Sequence, residues 1–215
     1  INEIAMLCEK VGANVEDVAL GMGTDSRIGR SFLNAGIGWG GSCFPKDTSA
    51  LIRTGEKYGS ELFIVRAAVK VNVSMKDYFL QNIESALGGL EGKVIAVLGL
   101  SFKPNTDDVR DSPAIELVDR LLKKGAIIKA TDPIAIDNAR KVLPESGKIV
   151  YEEDVYKALE DVDCVLITTE WPQWSKLDFE RVARIVRQKF IFDGRNCLDK
   201  ELLEGLGFIY KGVGK

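Results

Sequence analysis

From position 1 to about 88, apolar residues recur every three or four places, the period of helices with one buried face. Ile4, Leu7, Cys8 and Val11 mark a first helix over residues 1–11. Val15 to Gly21 reads as a second, with Asn14 as its cap and Glu16 and Asp17 in its first turn. A Gly/Ser-rich loop leads to a third helix from Pro45 to about Tyr58, and a long fourth is predicted from about Ser60 to Leu87. In that fourth helix Leu62, Val65, Val69, Asn72, Met75, Phe79, Ile83 and Ala86 form a stripe, which Ile64, Ala68 and Val71 widen. The width exceeds what one neighbour needs. The helix is therefore expected to be buried on two sides, with a dimer interface favoured over a purely intrachain core.

The glycine-rich "GGLEGK" at 88–93 ends the helical period, and beyond it strand and helix patterns alternate. Strands are predicted at "KVIAVLGL" (93–100), "AIIKATDP" (126–133), "DCVLITTE" (163–170) and "KFIFDGRN" (189–196), with "FIYKGVG" (208–214) as an edge strand. Helices fit Pro113 to Lys124 and 177–187, with helical turns near 134–142 and 152–159. Such an order means parallel βαβ units in an open, doubly wound α/β sheet, with ligands at the carboxyl ends of the strands. The expected organisation is a helical unit over 1–88 followed by an α/β unit over 89–215.

Composition narrows the chemistry. The chain has 215 residues and a net charge of −3, with acidic and basic residues interspersed, which argues against a nucleic-acid or anionic-membrane surface. No run approaches the roughly 18 consecutive apolar residues of a membrane span. There is no histidine, so Ser-His-Asp, Cys-His and His-metal sites cannot be built, and acid–base work falls to carboxylates, lysine or cysteine. Cys8, Cys43, Cys164 and Cys197 lie far apart with no CxxC pair, so free thiols in a reducing, cytoplasmic setting and no metal site are expected. The chain opens at Ile1 inside a helical pattern and reads as a piece that begins within a helix.

The strongest chemical signal is "GRSFLNAGIGWGGSCFPKD". Gly36, Gly38, Gly40 and Gly41 permit positive φ and close backbone approach to a ligand. Pro45 suits the first position of a helix, which leaves Cys43 just outside the N-terminus, where free amides, the dipole and Lys46 favour an anionic sulfur. Asp47 follows four residues on, offering a nucleophile and a carboxylate base together. Cys8, Cys164 and Cys197 read as core filler by contrast. After the first strand comes Gly99-Leu100-Ser101-Phe102-Lys103-Pro104 rather than GxGxxG. That segment is either an ordinary turn or a modified nucleotide site in which Lys103 and Arg110 replace the glycine cradle, before a helix capped by Ser112 with Pro113 at its start. Asp132 sits where a ribose-binding acid belongs, and Arg195 just past an apolar strand points toward the ligand crevice. Trp171 and Trp174 fit either a loop anchor or a base pocket.

"RIGRSFLNAGIGWGGSCFPKD", "GLSFKPNTDDVRDSPA", "TTEW" and "FDGRN", in that order, resemble motifs of the UDP-glucose/GDP-mannose dehydrogenase family across essentially the whole chain. The resemblance implies a helical central region that dimerises through its long helix, then a Rossmann-like UDP-sugar-binding domain, with the main NAD-binding domain upstream of Ile1. It implies four-electron, NAD-dependent oxidation of UDP-glucose to UDP-glucuronate, with Cys43 as the nucleophile and Asp47 helping to activate water. Arg27, Phe32, Asn34, Gly36, Gly38, Gly40, Phe102, Lys103 and Arg195 match substrate contacts, Arg27 by reaching a neighbouring subunit's substrate. Cys43, Lys46 and Arg110 match the NAD side. Two alternatives remain: oxidation of GDP-mannose, against which "TTEW" and "FDGRN" count, and a non-catalytic nucleotide-binding or oligomerisation module.

Overall fold

The computed structural model describes residues 1–215. Four helices come first: α1 (Asn2–Val11), α2 (Val15–Gly23), α3 (Phe44–Lys57) and α4 (Phe63–Leu87). Asn14 caps α2 as expected, its side chain accepting from the Glu16 amide. The long helix starts three residues later than its pattern suggested. The chain reverses over Gly55, whose missing Cβ leaves room for the Ser60 carbonyl and the Leu62 side chain, and Leu62 itself is left-handed at φ 48°.

Alternating strands and helices follow: β1 (Val94–Leu98), α5 (Pro113–Lys123), β2 (Ile127–Thr131), α6 (Ile136–Val142), β3 (Ile149–Tyr151), α7 (Val155–Leu159), β4 (Cys164–Ile167), α8 (Phe179–Ile185), β5 (Phe190–Asp193), α9 (Lys200–Gly205) and β6 (Ile209–Gly212). All strand pairs are parallel, in the order β3-β2-β1-β4-β5-β6. This is the doubly wound α/β arrangement, with its switch point between β1 and β4. The three-residue β3 and the six-residue α9 went unforeseen, because both are too short to show a period.

The two-residue alternation of each strand divides the core between the two faces of the sheet. Ile95, Val97, Cys164, Leu166 and Phe192 face one way, where they join Met75, Phe79, Ile83 and Leu87 of α4 and Leu117 and Leu121 of α5. Ala96, Leu98, Val165, Ile167 and Ile191 face the other, against Trp171, Trp174, Phe179 and Leu203. One core therefore runs from α1 and α4 into the sheet, with Phe79 edge-on to Phe192 at 6.0 Å. Buried Lys76 of α4 pairs with Glu116 of α5, and Arg120 binds both Asp77 and Glu116. Only the later part of α4 is consumed in this way: Phe63 and Ile64 are 75% and 86% exposed, and Ala86 is exposed while Leu87 fills the core.

Candidate active site

Cys43 is the N-cap of α3, with φ −94° and ψ −60°, and its side chain makes no capping hydrogen bond. The Asp47 amide donates to the Cys43 carbonyl at 2.8 Å, so the helical turn does reach back and sets Asp47 one turn beyond the thiol. Phe44 is the first helical residue, so Pro45 is the second and not the first as expected. Cys43 is exposed, while Cys8 and Cys164 are buried and Cys197 is half-buried. Burial pushes the Cys164 and Cys197 thiols up, away from the reactive range.

The backbone of the glycine loop before Cys43 is held by other parts of the chain. The Gly36 amide donates to Asn2 Oδ1 at 2.9 Å, Ile37 N to Gly194 O at 3.0 Å, and Gly41 N to Arg110 O at 3.1 Å. A Cβ on Gly36 would lie 2.9 Å from Gly194 O, and one on Gly40 only 2.0 Å from Asp111 O. Gly36 and Gly40 thus make room for the α/β part of the same chain. Gly41, at φ 89°, faces the Phe102 ring, where a Cβ would sit at 2.8 Å.

Arg195 joins the loop to the carboxyl edge of the sheet. Its Nε donates to Thr168 O at 2.9 Å, its NH1 group to Gly38 O at 3.0 Å, and Glu170 lies 3.3 Å away. Asp193, at the end of β5, is fully buried and accepts from Arg195 N, Leu198 N and the Tyr210 hydroxyl, shaping the turn that presents the arginine. Burial raises the Asp193 carboxyl, and those hydrogen bonds oppose the shift. Beside Arg195 opens a cleft of 430 Å³ whose lining includes Arg30, Asn34, Glu170 and Asn196. Asn34 accepts from Arg30 at 2.6 Å.

The segment after β1 answers the choice left open by its missing glycine signature. Asp132 is 4% exposed and its carboxylate is fully committed to Leu100 N, Ser101 N and Oγ, Trp171 Nε1, Ile134 N and Ala135 N. It ties three loops together and has no oxygen free for a ribose. Ser112 caps α5 through Ala114 N, but Ser112, Pro113 and Ala114 are all buried, so this helix start is covered rather than open to phosphate. Trp171 and Trp174 are buried, and their indole N–H groups bond Asp132 and Thr169 O, the geometry of loop anchors.

Lys103 is exposed, its Nζ 5.4 Å from the Phe102 ring. Arg110 is exposed and gripped by Asp108 at 2.9 and 2.7 Å. Asp108 holds the Arg110 charge firmly, and a charged Cys43 acts in the same direction to a lesser degree. In return the Arg110 hydrogen bond holds the Asp108 carboxyl below the usual carboxylate range. A carboxyl lowered in this way stabilises the fold above its unfolded value of about 3.9 and loses that contribution as pH falls through the folded value. Asp108→Asn is therefore expected to flatten the fall of Tm below about pH 4. The change should be small, because Arg110 is exposed and screened. An identical acid limb in the variant would overturn this.

Arg27 has a side chain 87% exposed and paired to Asp25, and Phe32 is 96% exposed. Lys46 lies exposed on α3 beside Asp47. The structure also brings in residues that the pattern did not single out for the site: Arg30 in the cleft, Asp193 beneath Arg195, and Asn72 against the glycine loop. Asn72 carried a visible signal, being the one polar side chain in the apolar stripe of α4.

Fold and site together define an α/β protein in which the loop before a cysteine-bearing helix packs on the carboxyl edge of a parallel, doubly wound sheet. The central-domain model of the UDP-glucose/GDP-mannose dehydrogenase family matches residues 1–74, and the UDP binding domain model of the same family matches residues 96–200. The chain belongs to this family. It is 44% identical over 215 residues to UDP-glucose 6-dehydrogenase TuaD of Bacillus subtilis, covering all of this chain and 46% of that protein. It is 45% identical to a UDP-glucose 6-dehydrogenase of Rickettsia typhi, covering 100% of this chain and 49% of that one. A UDP-glucose dehydrogenase structure from Pyrobaculum islandicum superposes with a TM-score of 0.86 at 42% identity, over 99% of this chain and 46% of that chain. The chain thus spans about half the length of the curated relatives it matches.

Proposed function

We propose that the protein supplies the substrate-binding and thiol half of an NAD-dependent UDP-glucose 6-dehydrogenase. The observation that carries this reading is the exposed Cys43 at a helix start, one turn from Asp47, on a loop bonded to Arg195 at the ligand edge of the sheet. NAD, when bound, accepts a hydride at each of two oxidations. The dinucleotide position of this sheet does not fit it, because Asp132 is fully committed and the glycine cradle is missing. Its main site is therefore assigned to chain outside residues 1–215, with Arg110 and Lys46 on the near side.

In this reading the nucleotide sugar lies along the carboxyl edge of the sheet, where Arg195 is bonded to the loop that carries Cys43, and its C6 carbon meets the thiol. Once the alcohol has been oxidised to an aldehyde, the Cys43 sulfur adds to the carbonyl carbon and a proton goes to the oxygen, giving a thiohemiacetal. Its oxidation leaves a thioester. Asp47 takes a proton from water as that water attacks, the C–S bond breaks, and a carboxylate and a free thiol result. Identities of 42–45% to proteins named for UDP-glucose favour that substrate. The test is NADH formation by the enzyme containing this chain and the upstream part, offered UDP-glucose and GDP-mannose side by side. Two NADH per UDP-glucose are expected. Preference for GDP-mannose overturns the substrate, and no NADH from either favours the non-catalytic module.

The exposed start of α4 supports a homodimer through that helix. Ile64, 86% exposed, is expected to be buried by the second copy. Ile64→Asp should weaken association by at least about thirty-fold, the equivalent of losing one buried aliphatic side chain of about 2 kcal/mol. Sedimentation velocity checks this, and an unchanged mass at equal concentration would remove α4 from the interface.

A further inference from the structure

We infer that Asn72, in the middle of α4, is a positioning residue for Cys43. The inference rests on the reading of Cys43 as the nucleophile and adds a residue that touches neither substrate nor sulfur. Asn72 is 7% exposed, at a stripe position whose helical neighbours Met75 and Phe79 belong to the apolar core. A polar side chain there needs partners to offset its desolvation. It finds both on one residue: Oδ1 accepts from Trp39 N at 2.7 Å, and Nδ2 donates to Trp39 O at 3.1 Å. The amide thus pairs with Trp39 as a neighbouring strand would, satisfying two backbone groups that the loop leaves unpaired. Gly38 completes the fit, since a Cβ there would lie 2.7 Å from Asn72 Oδ1.

A route of direct contacts leads from this clamp to the sulfur. The Trp39 ring packs edge-on against Phe44, with centroids 4.7 Å apart, and Phe44 is the first residue of α3, bonded to Cys43. The loop's other backbone anchors are Asn2 near the chain start, and Gly194, Arg195 and Arg110 of the α/β part. Asn72 is the grip exerted by the long helix. It refers the cysteine's position to α4, the same helix whose exposed start is proposed to pair with a second copy.

The test is steady-state kinetics of the enzyme containing this chain, with wild type, Asn72→Leu and Asn72→Asp compared. Asn72→Leu matches the size but leaves Trp39 N and O without partners. It is expected to lower kcat about a hundred-fold, the scale of an ångström misplacement of a reacting group, with KM for UDP-glucose within two-fold. Asn72→Asp keeps the acceptor for Trp39 N but sets a carboxylate against Trp39 O, so an intermediate loss of about ten-fold in kcat is expected, again with little change in KM. Thermal unfolding shows whether each variant is folded. If Asn72→Leu does not fold, Asn72→Asp decides alone. Wild-type kcat in a folded variant, or a change confined to KM, overturns the inference. A wild-type enzyme with no UDP-glucose turnover would instead overturn the function on which it rests.

Discussion

Replacing Cys43 by serine is expected to abolish UDP-glucuronate formation, lowering kcat by at least about a thousand-fold, the scale seen when a covalent nucleophile is removed. The hydroxyl fits where the thiol was, since Cys43 is exposed and makes no capping hydrogen bond whose loss would disturb α3. Stability should therefore stay within about 0.5 kcal/mol of wild type, as for surface substitutions away from special features. The separation of the two effects is the informative part. Binding groups such as Arg195 are untouched, so KM should move far less than kcat. Paired measurements of NADH formation and Tm check this. A Cys43→Ser enzyme that still releases UDP-glucuronate at the wild-type rate would remove the thiol from the chemistry.

Gly40→Ala is expected to act through the fold instead. The added Cβ would lie 2.0 Å from Asp111 O and 2.9 Å from Pro113 Cδ, atoms of backbone and ring that cannot swing aside. Either the loop lifts from the start of α5 or both segments shift. Overpacking of this kind costs about 3 kcal/mol, which in a chain of this size lowers Tm by roughly 6–12 °C. Cys43 lies three residues on, and the Gly41 N to Arg110 O bond lies between them, so activity should fall together with stability. Gly147→Ala is the control: nothing lies within 4 Å of its Cβ, and Tm should stay put. Equal Tm values for Gly40→Ala and wild type would mean that the loop is not held where the structure puts it.

These outcomes depend on different kinds of information in the chain. Local chemistry was legible from order alone. Pro45 after Cys43, Asp47 one turn on and the absence of histidine fixed the candidate nucleophile and limited its partners. The alternation of strand and helix after Gly92 announced a parallel sheet, because each element must bury a face with its own period. The short β3 and α9 escaped because three and six residues carry no readable period.

What order alone left ambiguous was what each residue faces. Asp132 stood where a ribose acid would stand, yet its oxygens are spent on three loops that meet only when β1, β2 and β4 lie side by side. The loop glycines read as close-approach positions, and the structure shows that Gly36 and Gly40 make room for backbone more than 70 residues away in sequence, at Gly194 and Asp111. Asn72 was one position of the α4 stripe, and in the structure its amide bonds both Trp39 N and Trp39 O. The sequence by itself determined the periods, the caps and the candidate nucleophile, since these follow from neighbours along the chain. Only the tertiary structure decided which polar groups were already satisfied and which glycines were filled, because hydrogen-bond partners and steric limits are set by segments that folding brings together.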